Sequence, residues 1–309
     1  MGHLFGPVPS RRLGLSLGVD LVPYKVCSYN CLYCEVGETT HLTVERGEYV
    51  PLEEVKAELE GFFSSGVHTD HITFSGFGEP TLHWGLGELT RWIKERTSTP
   101  VALLTNASLL WMPQVREEAR LVDVVLPSLD AVSQGVFQRV NRPHPSLSAH
   151  KVVEGLIEFS REFQGEIWLE ILVVKGVNDS EEEIERIARV VKEIAPQKVQ
   201  LNTVVRPPAV HGTPPLSREE MSKIAQMLPG EVEIVGAPTE HAYSGVEELD
   251  DAILETVKRR PCTAEDLTKV TGEEENNVKA ALKNLILKGE VEGVEKEGVV
   301  FYKCKTQPR

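Results

Sequence analysis

The sequence predicts an α/β fold: a partial (β/α)6 TIM-like barrel over residues 1–240, followed by a winged helix-turn-helix over residues 246–309. Three observations predict it. Strand-like and helix-like segments alternate up to about residue 240, as parallel strands joined by crossover helices must. The strand-like runs are apolar on both faces, as a sheet covered on both sides requires. From about residue 246 the pattern changes to three short helical stretches and two β-like runs. The chain has 309 residues and 41% apolar content, enough for one large α/β unit and a small one.

Each element has its own signal. Residues 51–63 read as a helix, with Pro51 near its first turn and Leu52, Val55, Leu59, Phe62 and Phe63 on one face. Residues 71–74 are a short β-type run ahead of glycines. A helix over about 86–96 leads to the run 101–104, which ends at Thr105-Asn106. A helix near 112–119 leads to the run 121–126, stopped by Pro127. Residues 150–163 are helical by pattern, and 167–174 form the next strand. Ser180 and Glu183 make a capping box. The helix it opens carries Ile184, Ile187, Ala188, Val191 and Ile194 in one stripe. A strand over 199–205, a helix over 219–228 and a β-type run over 232–235 complete this part. In barrels, functional side chains gather at the carboxyl ends of the strands. Gly76 and Gly78, Asn106, Ser128 and Asp130, Asn178, and Arg206 all follow strand-like runs.

The C-terminal part has a different rhythm. Leu249, Ile253 and Val257 mark one helix, and Leu267 and Val270 a second, opened by Thr263 with Asp266 as capping partner. Val278, Ala281, Leu282, Leu285 and Ile286 mark a third. The β-like runs 291–294 and 299–302 flank a turn at Glu297-Gly298. Three helices and a ribbon describe a winged helix-turn-helix. Acidic residues outnumber basic ones here, and Glu273-Glu274-Glu275 opens the third helix. Lys279, Lys283 and Lys288 give only a partial basic stripe. A docking or substrate-presenting role is therefore expected ahead of DNA binding.

Charge and cysteines narrow the function. A net charge of −14 excludes a global basic field for nucleic acid. The five cysteines are an odd number, and three of them, Cys27, Cys31 and Cys34, crowd into C-S-Y-N-C-L-Y-C. This argues against a secreted disulfide framework and for a reducing, cytoplasmic setting. The N-terminal run M-G-H-L-F-G-P lacks a basic-then-apolar signal pattern, and no apolar stretch approaches membrane-spanning length. Three soft thiolates spaced C-x3-C-x2-C suit an iron–sulfur cluster with one iron left open for chemistry. Two alternatives compete. One is a Cys3His zinc site of Cys27, Cys31, Cys34 and His41. The other is a regulator, in which an iron–sulfur or zinc sensor is attached to a DNA-binding winged helix.

At this loop the chain resembles the radical S-adenosylmethionine superfamily. Tyr33 stands before the third cysteine, where that family has an aromatic residue near the adenine. Ser75-Gly76-Phe77-Gly78-Glu79-Pro80-Thr81 is similar to the family's glycine-glycine-glutamate-proline motif, which touches the methionine amino group; Phe77 separates the glycines here. Thr105-Asn106 is similar to the family's Thr-Asn-Gly, with Ala107 in place of the glycine. Ser128-Leu129-Asp130-Ala131 resembles a segment near the ribose, and Val174-Lys175-Gly176-Val177-Asn178-Asp179 one near the adenine. The order and spacing hold over roughly residues 15–215. The resemblance implies a [4Fe–4S] cluster on Cys27, Cys31 and Cys34. It implies S-adenosylmethionine bound through Tyr33, Gly76, Gly78, Glu79, Asn106, Ser128, Asp130 and Asn178. It also implies a reductant such as ferredoxin or flavodoxin.

The strings at residues 6–14, 16–20 and 200–208 look like a group placed beside the tRNA wyosine-synthase branch. The chain departs from the wyosine enzymes in having no cysteine before Cys27 and Glu35-Val36 where they carry Trp-Arg. The implied activity is reductive cleavage of S-adenosylmethionine to a 5′-deoxyadenosyl radical that takes a hydrogen atom from substrate. A tRNA, a small molecule or a peptide is the substrate, with tRNA modification favoured by the neighbouring group.

Substrate-side candidates come from chemistry. Arg206 follows a strand expected to line the mouth and suits a carboxylate or phosphate. Lys25 and Lys175 are candidates for Schiff-base formation if desolvated. Arg11 and Arg12 read as a solvated basic pair, and Cys262 and Cys304 as small buried residues.

Overall fold

The computed structural model describes residues 2–10, 12–210, 212–235 and 249–305. Chain order begins with a hairpin, β1 (Leu4–Ser10) and β2 (Gly14–Val19), then two short bridging strands, β3 (Val26–Cys27) and β4 (His41–Leu42). Alternation follows: α1 (Leu52–Ser65), β5 (His71–Phe74), α2 (Leu86–Lys94), β6 (Val101–Thr105), α3 (Pro113–Ala119), β7 (Val124–Pro127), α4 (Gln134–Val140), α5 (Ala149–Glu162), β8 (Glu166–Val173), α6 (Glu181–Ile194), β9 (Lys198–Thr203), α7 (Arg218–Met227) and β10 (Val232–Ile234). The last elements are α8 (Leu249–Arg259), α9 (Ala264–Thr271), α10 (Glu275–Leu287), β11 (Val291–Lys296) and β12 (Val299–Cys304).

The main sheet runs β1-β2-β5-β6-β7-β8-β9-β10. From β2 to β10 every neighbouring pair is parallel, and only β1 is antiparallel to its neighbour. The ends β1 and β10 do not pair, so the sheet is open and fits a partial barrel. The six β-type runs read from the sequence are β5, β6, β7, β8, β9 and β10, and the hairpin β1–β2, which the sequence reading did not mark as strand, extends the sheet.

Alternation along the strands separates two faces. Leu169, Ile171, Val173, Val199 and Leu201 join Ile184, Ile187, Val191 and Ile194 of α6 in the main core. Their neighbours Trp168, Glu170, Gln200 and Asn202 therefore face inward. Leu13, Ala102, Val124 and Leu126 form a separate apolar cluster with Leu104 and Trp168. The inner face is thus less apolar than the strand runs suggest.

Several local features depart from expectation. β1 carries Gly6, Pro7 and Pro9, which disguise a strand in the sequence. α4 has only Phe137 and Val140 buried, too few for a periodic stripe. The run 121–126 becomes a strand only from Val124, and α7 opens with a full capping box between Ser217 and Glu220. At α6 only half the box forms. Ser180 accepts from Glu183 N, but the Glu183 carboxylate accepts instead from Val132 and Ser133 N, at 2.6 and 2.9 Å.

The C-terminal elements bury a second core of Ile253, Val257, Cys262, Leu267, Val278, Ala281, Leu282, Leu285 and Val291. β11 and β12 pair antiparallel, and Thr263 and Asp266 close a full capping box. Ile286, expected on the core stripe, is 42% exposed. The expected boundary between residues 240 and 246, and Arg11, lie outside the described residues. Among the described residues no helix is long and apolar enough to cross a membrane.

Candidate cluster and cofactor site

The cysteine loop leaves the carboxyl end of β2 and runs through β3. Each of its three sulfurs faces one N–H donor from a different part of the fold. Lys25 Nζ donates to Cys34 Sγ at 3.1 Å. Asn106 Nδ2, just past β6, stands 3.5 Å from Cys27 Sγ. Asn141 Nδ2, at the end of α4, stands 3.5 Å from Cys31 Sγ. Burial pushes the Cys27 thiol up to about 11 and raises Cys31 further, so these sulfurs ionise only with a cationic partner. Among the described residues, no three His, Cys, Asp or Glu side chains converge on a single metal-ion position. His41 is exposed, and the four-ligand zinc alternative does not fit. A four-iron cluster needs no common point, because each thiolate takes its own iron. The donor set therefore fits the cluster that the spacing suggests.

The segment after β5 is bound to this loop. Phe77 O accepts from Lys25 N at 2.9 Å, and Glu79 N donates to Val26 O at 3.2 Å. Gly76 has φ +111°, and a Cβ there would stand 1.6 Å from Asp20 Oδ1. A Cβ on Gly78 would stand 1.9 Å from Val26 O. The chain's own packing demands both glycines, because only a residue without a side chain fits there. Glu79 is buried and accepts from Thr81 N, Thr81 Oγ1, Thr105 Oγ1 and Asn106 N, at 3.1, 2.6, 2.7 and 2.8 Å. Burial raises its carboxyl against these bonds. Its bonds tie the glycine segment to the end of β6.

A second knot joins β7 and β8. Asp130 Oδ2 accepts from Tyr33 OH and from Asn141 Nδ2, and Oδ1 accepts from Leu172 N. Asn178 is wholly buried. Its Nδ2 donates to Asp130 O and Leu172 O, both at 2.8 Å, and its Oδ1 accepts from Val174 N at 2.7 Å. Its amide is therefore committed to the backbone. Ser128 is half-buried at the end of β7, where it bridges Glu170.

The structure thus brings Cys27, Cys31, Cys34, Tyr33, Lys25, Glu79, Asn106 and Asp130 into one network. Lys25 is 3% exposed, at φ 55°. Burial lowers its pKa, but the three nearby sulfurs outweigh that and raise it. It is an ammonium beside the sulfurs, not the desolvated free amine a Schiff base needs. Lys175 is half exposed and paired with Glu220 of α7 at 2.7 Å, away from the sulfurs. Arg206 is buried and paired with Glu35 at 3.2 Å and with Asp266 of α9 at 3.9 Å, so it faces the C-terminal elements. Asn141, Ser28 and Asp20 were missed. Ser28 bonds Ser108 and Asn106 behind Cys27, at 2.6 and 2.9 Å. Only the adjacency of Ser28 to Cys27 offered a signal; Asn141 lies in no motif.

The chain is 36% identical over 304 residues to a protein of Brachyspira hyodysenteriae named GTPase Obg, covering 97% of this chain and 45% of that one. It therefore spans less than half of that relative. It is 32% identical over 306 residues to a UPF0026 protein of Methanocaldococcus jannaschii, covering 96% of this chain and 94% of that one. A solved structure of TYW1 with a lysine–pyruvate adduct bound shares the fold, with a TM-score of 0.53 and 14% identity over 97% of this chain and 83% of that one. Residues 21–191, more than half of the chain, match the profile of the Radical SAM superfamily. This chain therefore belongs to the radical SAM superfamily, whose enzymes work with a [4Fe–4S] cluster and S-adenosylmethionine.

Proposed function

We propose that Cys27, Cys31 and Cys34 hold the cluster, and that the chain uses it in a hydrogen-abstraction reaction on an RNA substrate. The carrying observation is the matching of one N–H donor to each sulfur, from Lys25, Asn106 and Asn141. Such donors stabilise thiolate charge and tune a bound cluster. When bound, the cluster supplies the electron that cleaves S-adenosylmethionine to a 5′-deoxyadenosyl radical.

The chain's residues do the rest. Gly76 and Gly78 offer bare backbone to the methionine end. Glu79 acts by fixing that backbone against β6, since its oxygens already serve four donors. Ser128 is available to the ribose, while Asp130 and Asn178 set the spacing of the β7 and β8 ends. Tyr33 packs its ring beside that knot, in the place expected for the adenine.

Transfer RNA is the favoured substrate class, supported by the strings similar to the wyosine-synthase-like group. Residues 249–305 act as a winged-helix module that docks or presents substrate, and a reductant such as ferredoxin or flavodoxin supplies electrons. The reading of the chain as a DNA-binding regulator draws no support from the comparisons.

Anaerobic reconstitution tests the reaction. Equal iron and sulfide, and 5′-deoxyadenosine on reduction with S-adenosylmethionine, are expected. Cys31→Ala should abolish both. Bound zinc with no 5′-deoxyadenosine would reject the reading. Loss of one modified nucleoside from tRNA of deletion cells is expected for the RNA arm, and an unchanged set would remove RNA.

A further inference from the structure

α8 and α9 pack against β1, on the open side of the sheet. The last residue of α8, Arg259, reaches back to Asp20 at the end of β2. Its Nε and Nη2 donate to Asp20 Oδ2 at 3.2 and 2.8 Å, and its Nη1 is held by Glu255 Oε2 and O at 2.7 and 2.9 Å. The two paired side chains are 5% and 4% exposed. The guanidinium lies 4.3 Å from the ring centroid of Phe5 and 4.8 Å from that of Phe77. A planar, always-charged fork between two rings is a built position for arginine.

Asp20 passes this fixing onward. Its other oxygen, Oδ1, accepts the Phe77 N–H at 2.9 Å, in the middle of the glycine segment. That same oxygen is the atom that leaves no room for a side chain at Gly76. Phe77 O in turn accepts from Lys25 N, which opens the cysteine loop. A chain of direct contacts therefore runs from α8 through Asp20 to the segment expected to meet the methionine end of the cofactor. Next to it, a cavity of about 240 Å³ has Ser16, Thr73 and Leu104 of the inner sheet face on one side and Thr256, Arg259 and Arg260 on the other.

We propose that Arg259 is a positioning residue for the glycine segment, so that the S-adenosylmethionine site is complete only with the C-terminal helices seated. This rests on the radical SAM reading of the site. Two N–H groups of Arg259 hold Asp20, and Asp20 holds Phe77. Without Arg259, a buried carboxylate loses its counter-charge and turns toward water, releasing the Phe77 amide. Cofactor binding then weakens in inverse proportion to the fraction of time the segment is in place.

The test uses the full-length chain. Arg259→Gln is compared with Arg259→Lys and with Lys296→Met. Lys296 is a control anchor: its Nζ donates to Val204 O and Arg206 O, at 2.8 and 3.2 Å, and holds the same module without touching the glycine segment. Hydrogen exchange of amides 75–79 is read in cluster-free protein, and S-adenosylmethionine affinity by equilibrium dialysis in reconstituted protein. Arg259→Gln should speed Phe77 exchange and weaken binding about tenfold or more, as expected if the segment is in place a tenth of the time or less. Arg259→Lys should recover part of both, and Lys296→Met should leave exchange at 75–79 unchanged. If Arg259→Gln does not fold, Asp20→Asn reads the same link, because an amide facing the guanidinium breaks the pair without changing size. Unchanged exchange and affinity in the Arg259 variant, or an equal effect from Lys296→Met, would overturn the proposal. A wild-type protein that fails to bind S-adenosylmethionine would instead sink the proposed function.

Discussion

Asp130 is 3% exposed, and burial pushes its carboxyl up to about 6, against the bonds from Tyr33, Leu172 N and Asn141. That value lies above the ordinary 3.8, so the folded chain keeps a proton that the unfolded chain has already lost between about pH 4 and pH 6. Stability therefore falls as pH rises through this window and is level above it. Urea unfolding of metal-free protein at a series of pH values checks this. The difference between wild type and Asp130→Asn should decline from about pH 4 to about pH 6 and then flatten. A difference that does not change with pH would mean Asp130 titrates alike in both states. The sequence showed Asp130, Tyr33 and the cysteines by motif, because their neighbours in the chain are diagnostic. It showed the glycines without showing what fills the space around them: Asp20 Oδ1 and Val26 O approach from distant parts of the chain. Asn141 and Asp20 were illegible as site residues for the same reason, since each acts through a long-range contact; Asn141 sits in no recognisable string, and the string 16–20 that holds Asp20 does not reveal its contact with Phe77.

Glu183 shows how one side chain can serve two elements. The pattern Ser180 to Glu183 marks the start of α6 in the sequence, and Ser180 does cap that helix. The carboxylate, however, leaves its own helix and takes the N–H groups of Val132 and Ser133, just ahead of α4 and next to the Asp130 knot. Removing the cap with Ser180→Ala should cost about 1 kcal/mol. Glu183→Ala should cost more, on the order of 2–4 kcal/mol, because two partly buried backbone donors lose their acceptor at once. Chemical denaturation of both variants measures the ranking, and an equal cost would mean that water replaces the carboxylate at no loss. The longer helices α1, α5 and α6 were legible because a stripe of apolar residues runs over several turns, and at α6 a cap residue marks the start as well. β1 and α4 were not, because a strand with two prolines and a helix of two turns carry too little periodic signal. The polar inner face at Glu170, Gln200 and Asn202 was masked by the apolar residues that alternate with it.

At the scale of the whole molecule, two cores are joined by polar links rather than by a shared apolar seam. Arg206 joins the end of β9 to Glu35 and to Asp266 of α9, Lys296 of β11 takes two carbonyls beyond β9, and Arg259 takes Asp20. Two of these links, at Arg206 and Lys296, converge on residues 204–206, so that short segment carries much of the coupling on its side. The small core holds mainly aliphatic side chains from three short helices and one ribbon strand, and a unit of that size is marginal without help. Its stability should therefore depend on the links. In calorimetry of metal-free protein, the wild type should unfold in one transition. The double variant Arg206→Met with Lys296→Met should separate a small early transition, lower by roughly ten degrees if the links together supply about 2 kcal/mol to a unit of this length. Hydrogen exchange should place the early event in residues 249–305. A single transition shifted as a whole would show instead that the Arg259–Asp20 pair alone keeps the two cores unfolding together.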